Sequence, residues 1–503
     1  MKGNKQKREL TEQEKKDYIP LKEAILYGSA EIYGGGSATL ISLVLLFYLN
    51  MVLGIAPAVA GAIIMVSKAW DAISDPLMGV ISDNTRSKWG RRKPYMVAGG
   101  ILTFFAMLWL FAPIRNLRSG LKIAIATVGY IFFCTANTIS QVPFCSLASD
   151  ISSSAEQRNK ANTIKLVFSM LGAAICFLIP TIIIDKQRDL LDTNPNQVQM
   201  TMFYFFGILF AILFAVPLIA SGVFSKERAP YDKNIKNKFS FKSYIDPFKI
   251  KSYKWHLIMY ISAFLCMDII SALVTYYAKI VIPKGTKLFG NLELGTTTIV
   301  APMMVAAALI IPLSIYLSRK KSKQFAYRIG LPLYILGGVI ICSYQPSWPA
   351  WIIPLFAAIM GLGLGGAQSM PWIVFPDTVD VAELKTGERQ TGTFSGLMTF
   401  SRKLTQAIAI FLVGVVLQAC GLKEKDNAMT WTSVTPKAIR ILMASVIIVF
   451  MSIGFIASIR YKVTSKKLSR IRYYLDKARE GNDENVLTEE EIKEKQELIK
   501  ELV

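Results

Sequence analysis

The sequence WDAISDPLMGVISDNTRSKWGRRKPY, residues 70 to 95, begins as the end of an apolar segment and finishes as a basic loop. Two carboxylates, Asp71 and Asp75, lie four residues apart in its apolar part, and Lys68 stands three residues before the first. On a helix, side chains at positions i and i+4 project from the same face. The stretch therefore predicts a helix that carries two negative charges on one face in apolar surroundings.

The composition places this helix in a membrane. The chain has 503 residues, of which 52% are hydrophobic and 18% charged, and its mean hydropathy is +0.40. Apolar runs close to the ~20 residues that cross a bilayer recur along it. We therefore predict an all-α membrane protein with twelve transmembrane helices. The predicted spans are residues 25–49, 57–82, 95–113, 121–149, 162–183, 200–224, 255–282, 294–318, 327–345, 349–375, 391–420 and 438–459.

The net charge of +22 is explained by membrane topology rather than by a nucleic-acid partner. Lysine and arginine concentrate in alternate predicted loops, on the side that also holds the N-terminus. By the positive-inside rule we expect that side to be cytoplasmic, and an even number of spans returns the C-terminus to it. We expect an integral multi-pass protein of the cell membrane that contacts membrane lipid. No nucleic-acid partner and no obligate protein partner is predicted.

A long polar connection divides the predicted spans six and six, as in transporters whose halves rock against each other. The six cysteines contain no CxxC pair, so we expect neither a disulfide framework nor a metal site. Thr488 and Glu491 have the spacing of a capping box before the last helix. The predicted segments are a cytoplasmic tail (1–24), an N-terminal bundle (25–224), an inter-bundle loop (225–254), a C-terminal bundle (255–459) and a cytoplasmic helical tail (460–503).

Two carboxylates on one helical face need a cation or a proton between them. An ionisable group in the hydrocarbon zone costs at least ~2.5–3.5 kcal/mol on insertion scales, so its presence there needs a reason. Asp71 and Asp75 therefore predict either a monovalent-cation site or a proton site, with the Ser74 hydroxyl beside it. A structural ion pair with Lys68 or Lys403 is the alternative.

Three segments carry a resemblance to a known family. The opening stretch resembles the second-span signature of the glycoside-pentoside-hexuronide:cation symporters, the melibiose-permease branch of the major facilitator superfamily. PWIVFPDTVDVAELKTGERQTGTFSGLMTFSRKLTQA (371–407) resembles the segment joining spans ten and eleven, and NTISQVPFCSL (137–147) resembles part of span four. The loop pattern of the superfamily is also present, as Gly79, Asp83 and Arg86 followed by GRR (90–92).

The resemblance implies a fold, an activity and a cation site. The fold is two six-helix bundles, and the activity is cation-coupled symport of a sugar or glycoside by alternating access. The implied cation ligands are Asp71, Asp75, Ser74 and Thr138, with Lys68 and Lys403 as charge partners. Because serine replaces the family's amide at residue 74, Na⁺ and H⁺ both stay open as the coupling ion. No other cofactor is implied.

Sugar recognition departs from the melibiose-permease pattern, because the two positions of its sugar-binding aspartates hold Gly35 and Gln141 here. Gln141 can still bind a hydroxyl through both its donor and its acceptor group. Any single aromatic side chain has packing or lipid contact as its alternative role. The residues expected at the substrate site are Gln141, Glu31, Gly35, Asp268, Trp372 and Tyr33.

Charged residues of two loops on the basic side are expected to form ion pairs that hold that side shut. Uptake of a lysolipid and a membrane-embedded enzyme or sensor are the other functions considered. No HExxH, GxSxG or P-loop motif occurs, so we expect no enzymatic activity. The residues of the expected gate are Asp83, Arg86, Arg91, Arg92, Asp377, Asp380, Glu383 and Arg389.

Overall fold

The computed structural model describes residues 17–152, 154–228, 246–289, 292–387, 391–425, 428–479 and 488–502. These residues are mostly helical, with two short antiparallel hairpins, β1 (Lys287–Phe289) with β2 (Leu292–Glu293) and β3 (Lys423–Lys425) with β4 (Ala428–Thr430). The long helices are α1 (Leu21–Val52), α2 (Pro57–Asn84), α3 (Lys93–Leu110), α4 (Ser119–Asp150), α5 (Ala155–Lys186), α6 (Pro195–Phe224), α7 (Lys251–Val281), α8 (Thr296–Lys320), α9 (Lys323–Ser343), α10 (Ile352–Thr386), α11 (Thr391–Ala419), α12 (Thr435–Arg460), α13 (Ser465–Arg479) and α14 (Glu489–Leu502).

Eleven helices of the described chain are long and apolar enough to cross a membrane: α1 and α3 to α12. Helix α2 has 28 residues, which at 1.5 Å per residue gives ~42 Å and spans a bilayer with room to tilt. Its mean hydropathy is lowered by the charges of Lys68, Asp71, Asp75 and Asp83. The prediction of an all-α membrane protein is confirmed. Helix α2, which departs from the apolar pattern, contains the first part of the stretch 70–95 from which the prediction began.

Glycines bring α1 and α5 into contact through their backbones. A Cβ atom built on Gly35 would lie 2.5 Å from the carbonyl oxygen of Ser169, and one built on Gly172 would lie 2.5 Å from the carbonyl oxygen of Ile32. Neither position has room for a side chain, so these glycines permit the close crossing. The crossing sets the polar residues of α1 beside those of α5.

The chain forms two compact units. The first contains residues 17–41, 66–180 and 193–228 of the described chain, and the second contains 42–65, 181–192 and the described residues from 246 onward. This division differs from the predicted six-and-six division at two places. The end of α1 with the start of α2 (Ser42–Met65), and the end of α5 (Thr181–Asp192), belong to the second unit.

The last two helices form a hairpin within the second unit. Arg470 of α13 donates to Glu494 of α14 at 2.9 and 3.0 Å, and Lys467 lies 2.5 Å from Glu501. The predicted capping box is confirmed, because the Glu491 amide donates to Thr488 Oγ1 at 3.3 Å and the Thr488 amide donates to the Glu491 carboxylate at 3.1 Å. Residues 465–479 and 489–502 are therefore an ordered helical appendage.

Candidate cation and substrate sites

Four predicted cation ligands come together where α2 meets α4 in the first unit. The Thr138 hydroxyl lies 3.1 Å from Asp71 Oδ1 and 2.8 Å from Asp75 Oδ1. The Ser74 hydroxyl lies 3.0 Å from the Thr138 hydroxyl. Asp71 is fully buried, and Thr138 is 2% exposed. The helical repeat of α2 aims both carboxylates at one threonine of α4, as the i and i+4 spacing predicts.

The chemistry of this cluster suits a small monovalent cation or a proton. Its donors are carboxylate and hydroxyl oxygens, which are hard ligands, and it contains no sulfur or imidazole ligand. A threonine hydroxyl has one proton, so it can donate to only one of the two carboxylates at a time. The Thr138 oxygen also has lone pairs, so it can coordinate a cation that lies beside the other carboxylate.

Lys68 is the one predicted charge partner that lies in the same unit. Its ammonium nitrogen is 3.8 Å from Asp71 Oδ2, at the i and i+3 spacing of a helical pair. This contact makes Lys68 a charge partner of Asp71 within α2. Lys403 lies on α11 in the second unit, and its pairing with the aspartates stays a prediction.

Three polar side chains of the first unit meet at the α1–α5 crossing. The Lys165 ammonium is 3.3 Å from Glu31 Oε2, and it also lies 4.4 Å from the Phe144 ring centroid. Glu31 and Gln141 both approach Gly34, since a Cβ atom there would lie 2.8 Å from Glu31 Oε1 and 3.1 Å from Gln141 Oε1. The Gln141 amide nitrogen is buried and has no hydrogen-bond partner among the described residues.

Two of the predicted substrate residues make packing contacts. Gly35 lies against the backbone of Ser169, so it is a helix-contact position, and its role at the substrate site stays a prediction. Tyr33 is fully buried, with its ring 5.2 Å from that of Phe214 in an edge-on arrangement. These contacts fit the packing alternative for Tyr33, and its role in sugar binding also stays a prediction.

The second unit holds a separate cluster with one open aromatic face. Asp268 of α7 is 1% exposed and pairs with Arg402 of α11 at 3.3 Å. The Arg402 guanidinium stands 4.4 Å from the Phe264 ring centroid. Trp372 of α10 is 47% exposed and meets Tyr260 edge-on at 5.5 Å between ring centroids. Trp372 thus has an accessible indole next to an intramembrane ion pair.

Comparison with known proteins now settles the class of this molecule. Residues 26–465 match the family described as MFS/sugar transport protein. The chain belongs to this family. The resemblance seen in the sequence is confirmed, and the protein is a multi-pass membrane transporter of the major facilitator superfamily rather than an enzyme.

Several curated relatives of this MFS transporter have named substrates. The isoprimeverose transporter of Lactiplantibacillus pentosus is 23% identical, over 81% of this chain and 82% of the relative. A glucuronide carrier protein homolog of Escherichia coli is 23% identical, over 86% and 91%. A putative sulfoquinovose importer of Salmonella typhimurium is 24% identical, over 80% and 82%.

Solved structures support the fold of the transporter. A variant of the nucleoside transporter NupG aligns with a TM-score of 0.57 at 12% identity, covering 86% of this chain and 98% of that chain. A bacterial homolog of the human lysosomal transporter Spinster, inward-facing and unoccupied, aligns with a TM-score of 0.57 at 14% identity, covering 87% and 96%. At these identities the likeness shows the major facilitator fold alone.

The first group of predicted gate residues in the transporter forms a network inside the first unit. Arg92 pairs with Asp83 and lies 3.3 Å from Asp150, and Arg91 lies 2.8 Å from Asp150. The carboxylate of Glu227 accepts from the Arg91 and Arg92 amides at 2.9 and 2.8 Å, at the start of α3. Arg86 donates to the Asp83 carbonyl at 2.9 Å. Asp150 and Glu227 are partners that the sequence did not predict.

The second group has its partners on other helices of the second unit. Asp377 lies 2.5 Å from Lys323 and 3.3 Å from Arg472, and Asp380 lies 3.0 Å from Arg472. Glu383 is 7% exposed on the same helix, and Arg389 lies outside the described residues. The C-terminal appendage therefore supplies a guanidinium to the predicted gate carboxylates. Pairing of the two groups with each other stays a prediction.

A further polar network in the second unit joins the end of α5 to α7 and α8. Asp185 accepts from the Thr296 and Thr297 amides at 2.8 and 2.7 Å, which caps the start of α8. Asp192 lies 2.9 Å from Lys279 and 3.0 Å from Lys284. Partial burial favours a raised pKa for Asp192, but hydrogen bonds from both lysines outweigh it and lower the pKa below its ordinary value.

Proposed function

We propose that this transporter performs cation-coupled symport of a sugar or glycoside, with Na⁺ or H⁺ bound between Asp71 and Asp75. The observation that carries the proposal is the convergence of both carboxylates on the Thr138 hydroxyl. Ser74 adds a fourth oxygen-bearing side chain. Two carboxylates beside one buried hydroxyl repel each other unless a positive charge neutralises them, so the site has a reason to bind a cation.

Coupling follows from the charge on α2. Without a cation, Asp71 and Asp75 place two negative charges beside the same hydroxyl, and these charges repel each other. A bound cation offsets this repulsion and permits the helices around it to change their packing at lower cost. Sugar binding and cation binding then favour each other, with a reciprocal coupling free energy of typically ~1–3 kcal/mol.

The sugar is proposed to contact polar groups of the first unit, the Glu31–Lys165 pair and the unsatisfied amide of Gln141. Within the second unit, the Asp268–Arg402 pair and the exposed indole of Trp372 stay predicted substrate contacts. The relatives are named an isoprimeverose transporter, a glucuronide carrier protein homolog and a putative sulfoquinovose importer, which supports a sugar or glycoside as the substrate class here.

Alternating access is proposed to use the networks at the two ends of the helices. The predicted topology puts both termini, the Arg92 network and the Asp377–Asp380 carboxylates on the cytoplasmic side. The Asp185 and Asp192 contacts lie at the opposite ends of the spans, where α5 ends and α8 begins. These contacts join the end of α5 to α7 and α8. We propose that they hold the extracellular side shut and that they break when this side opens.

The proposal is tested by uptake into proteoliposomes that contain the purified protein. A panel of radiolabelled glycosides, a hexuronide and a lysophospholipid is offered with an imposed Na⁺, Li⁺ or H⁺ gradient. We expect one glycoside class to accumulate with one cation gradient and to stop when the gradient is collapsed. Uptake of only the lysophospholipid, or accumulation that ignores every cation gradient, contradicts the proposal.

Gln141→Ala separates the substrate site from the cation site. It removes the unsatisfied amide without touching Asp71, Asp75 or Thr138, so substrate affinity should fall while the cation dependence of residual transport is unchanged. Gln197→Ala, on an exposed position at the start of α6, is the matched control and should leave both properties unchanged.

A further inference from the structure

An apolar groove lies on the outer surface of the second unit, between α9 and α12. Its volume is about 500 Å³, and its walls include Leu331, Pro332, Ile335 and Leu336 of α9 with Phe455 and Ile456 of α12. Both helices are membrane spans. The exposed side chains of Pro332, Leu336, Phe455 and Ile456 therefore face acyl chains rather than water.

Two arginines lie one helical turn beyond the groove-lining residues, at the same end of the two helices. Arg328 lies one helical turn before Leu331 on α9, and Arg460 lies one turn after Ile456, at the end of α12. Arg328 donates to the hydroxyl and the carbonyl of Ser458 at 2.9 and 2.5 Å, which ties it to α12. The Arg460 guanidinium lies 5.6 Å from the Trp255 ring centroid.

Neither guanidinium is paired with a carboxylate within the described ranges of the chain. The nearby Lys462 differs in this respect, because it lies 3.7 Å from Glu501. Two arginines at the membrane boundary thus keep their positive charge available to an external anion. Arginine is suited to this, since its planar fork binds phosphate oxygens in pairs.

We propose that the α9–α12 groove is a binding site for one anionic phospholipid. An acyl chain lies in the apolar groove, and the lipid phosphate binds Arg328 and Arg460 at its basic end. The arginines lie at the membrane boundary, where a phospholipid has its headgroup. The apolar groove lies closer to the membrane centre, where the lipid has its acyl chains. By the predicted topology this lipid belongs to the cytoplasmic leaflet, which is the anionic one.

This site is distinct from the proposed sugar and cation sites, so its test measures lipid binding rather than transport. The full-length protein is purified in detergent and titrated with phosphatidylglycerol or phosphatidylcholine of identical chains, and bound lipid is counted by native mass spectrometry. We expect phosphatidylglycerol to bind more tightly. Arg460→Gln should weaken it about fivefold, and Arg328→Gln with Arg460→Gln should weaken it further by a similar factor, at ~1 kcal/mol per basic residue.

Three further variants separate a specific site from general effects. Arg328→Lys with Arg460→Lys keeps the charge and should retain the preference for phosphatidylglycerol. Ile335→Trp fills the groove and should weaken both lipids. Lys88→Gln removes an exposed charge from the loop between α2 and α3, away from the groove, and should change neither affinity.

The outcomes decide the proposal in either direction. Arg460 makes no hydrogen bond that holds helices together in the described structure, so Arg460→Gln tests the charge even if the Arg328 variant folds poorly. An unchanged preference for phosphatidylglycerol in Arg460→Gln, or an equal loss in Lys88→Gln, overturns the specific site. Equal binding of the two lipids to the wild type overturns it as well.

Discussion

Replacing Thr138 by valine removes one hydroxyl from the centre of the proposed cation site. Valine has nearly the same shape, so the packing around this 2% exposed side chain is kept. The lost oxygen lies 3.1 and 2.8 Å from the two carboxylates and 3.0 Å from Ser74. The variant therefore changes the chemistry of the site with little change in volume.

The sign of the effect depends on the coupling ion. When Na⁺ binds, the Thr138 oxygen can coordinate the ion while its proton still bonds to one carboxylate, so valine loses one more interaction in the loaded state than in the empty state. An interaction with a charged group contributes roughly 1.5–3 kcal/mol, which corresponds to about a 10- to 150-fold loss of Na⁺ affinity. When H⁺ is the coupling ion, the hydroxyl stabilises the charged form, so its loss should shift the pH of half-maximal transport upward.

The assay measures transport by proteoliposomes against Na⁺ concentration at fixed pH and against pH without Na⁺. Thr138→Ser keeps the hydroxyl and should restore wild-type behaviour. Thr127→Val is the matched control on α4, because that hydroxyl bonds only to the Ile123 carbonyl at 2.8 Å among the described contacts. If the half-saturating Na⁺ concentration and the pH midpoint of Thr138→Val both stay within twofold of wild type, the hydroxyl is not part of the cation site.

Three other predictions follow from particular contacts. Gly35→Asp, which restores a melibiose-type carboxylate, should not create a sugar site; its Cβ would lie 2.5 Å from the Ser169 carbonyl, so we expect a loss of about 1–3 kcal/mol in stability, seen as a lower melting temperature. Arg472→Gln should loosen the C-terminal appendage and speed hydrogen exchange in α13 severalfold, since it loses both α10 carboxylates. A hydrogen bond from Arg470, followed by one from Tyr474, lowers the pKa of Glu494 from 4.5 to about 2, so the protection of α14 against hydrogen exchange, corrected for the pH dependence of the intrinsic amide exchange rate, should fall as pH falls from about 4.5 toward 2.

Each of these predictions has its own control. Gly120→Ala adds a Cβ where no atom lies within 4 Å and should keep the wild-type melting temperature. Arg472→Lys should preserve most of the protection of α13, and equal exchange in wild type and Arg472→Gln would show that the ion pairs do not hold the appendage. Because the pKa of Glu494 is depressed, its ion pair stabilises the hairpin above pH 4.5, and Glu494→Gln should remove the acid sensitivity of the corrected protection. A corrected protection of α14 that stays constant or rises on acidification contradicts the prediction.

The cluster proposed as the cation site could be predicted from sequence because its geometry is local. Asp71 and Asp75 share a helix face by spacing alone, and the quoted motif of span four supplied Thr138. The structure confirms that these side chains meet. Intrahelical periodicity and a motif on one neighbouring helix were sufficient.

The proposed substrate region needed contacts that periodicity does not contain. The predicted span 162–183 includes Lys165, but Lys165 was not considered among the intramembrane charges; α5 begins at Ala155 and carries Lys165 well inside the helix. Its pairing with Glu31 depends on the close α1–α5 crossing, which in turn depends on Gly35 and Gly172. The sequence contained one signal for this ion pair: Lys165 and Glu31 are opposite charges that both fall inside predicted membrane spans.

The partners of the gate carboxylates were also missed, for a different reason. Arg472 reaches Asp377 and Asp380 from a helix that follows the last membrane span. No periodicity in a single sequence connects residues as far apart as Arg472 and Asp380, and the tail was predicted only to be helical. Asp150 and Glu227, the partners of Arg91 and Arg92, were hidden in the same way.

The central claim is that Asp71 and Asp75 hold the coupling cation, and one measurement tests it most directly. Asp71→Asn and Asp75→Asn keep the size of each side chain and remove its charge. In proteoliposomes, both variants should lose gradient-driven accumulation of the substrate identified for the wild type, while counterflow of that substrate, which needs no gradient, continues. Substrate affinity in the wild type should rise with the coupling cation, and this response should be absent in both variants. If both variants still concentrate substrate against its gradient, the carboxylate pair is structural and the account of coupling is wrong.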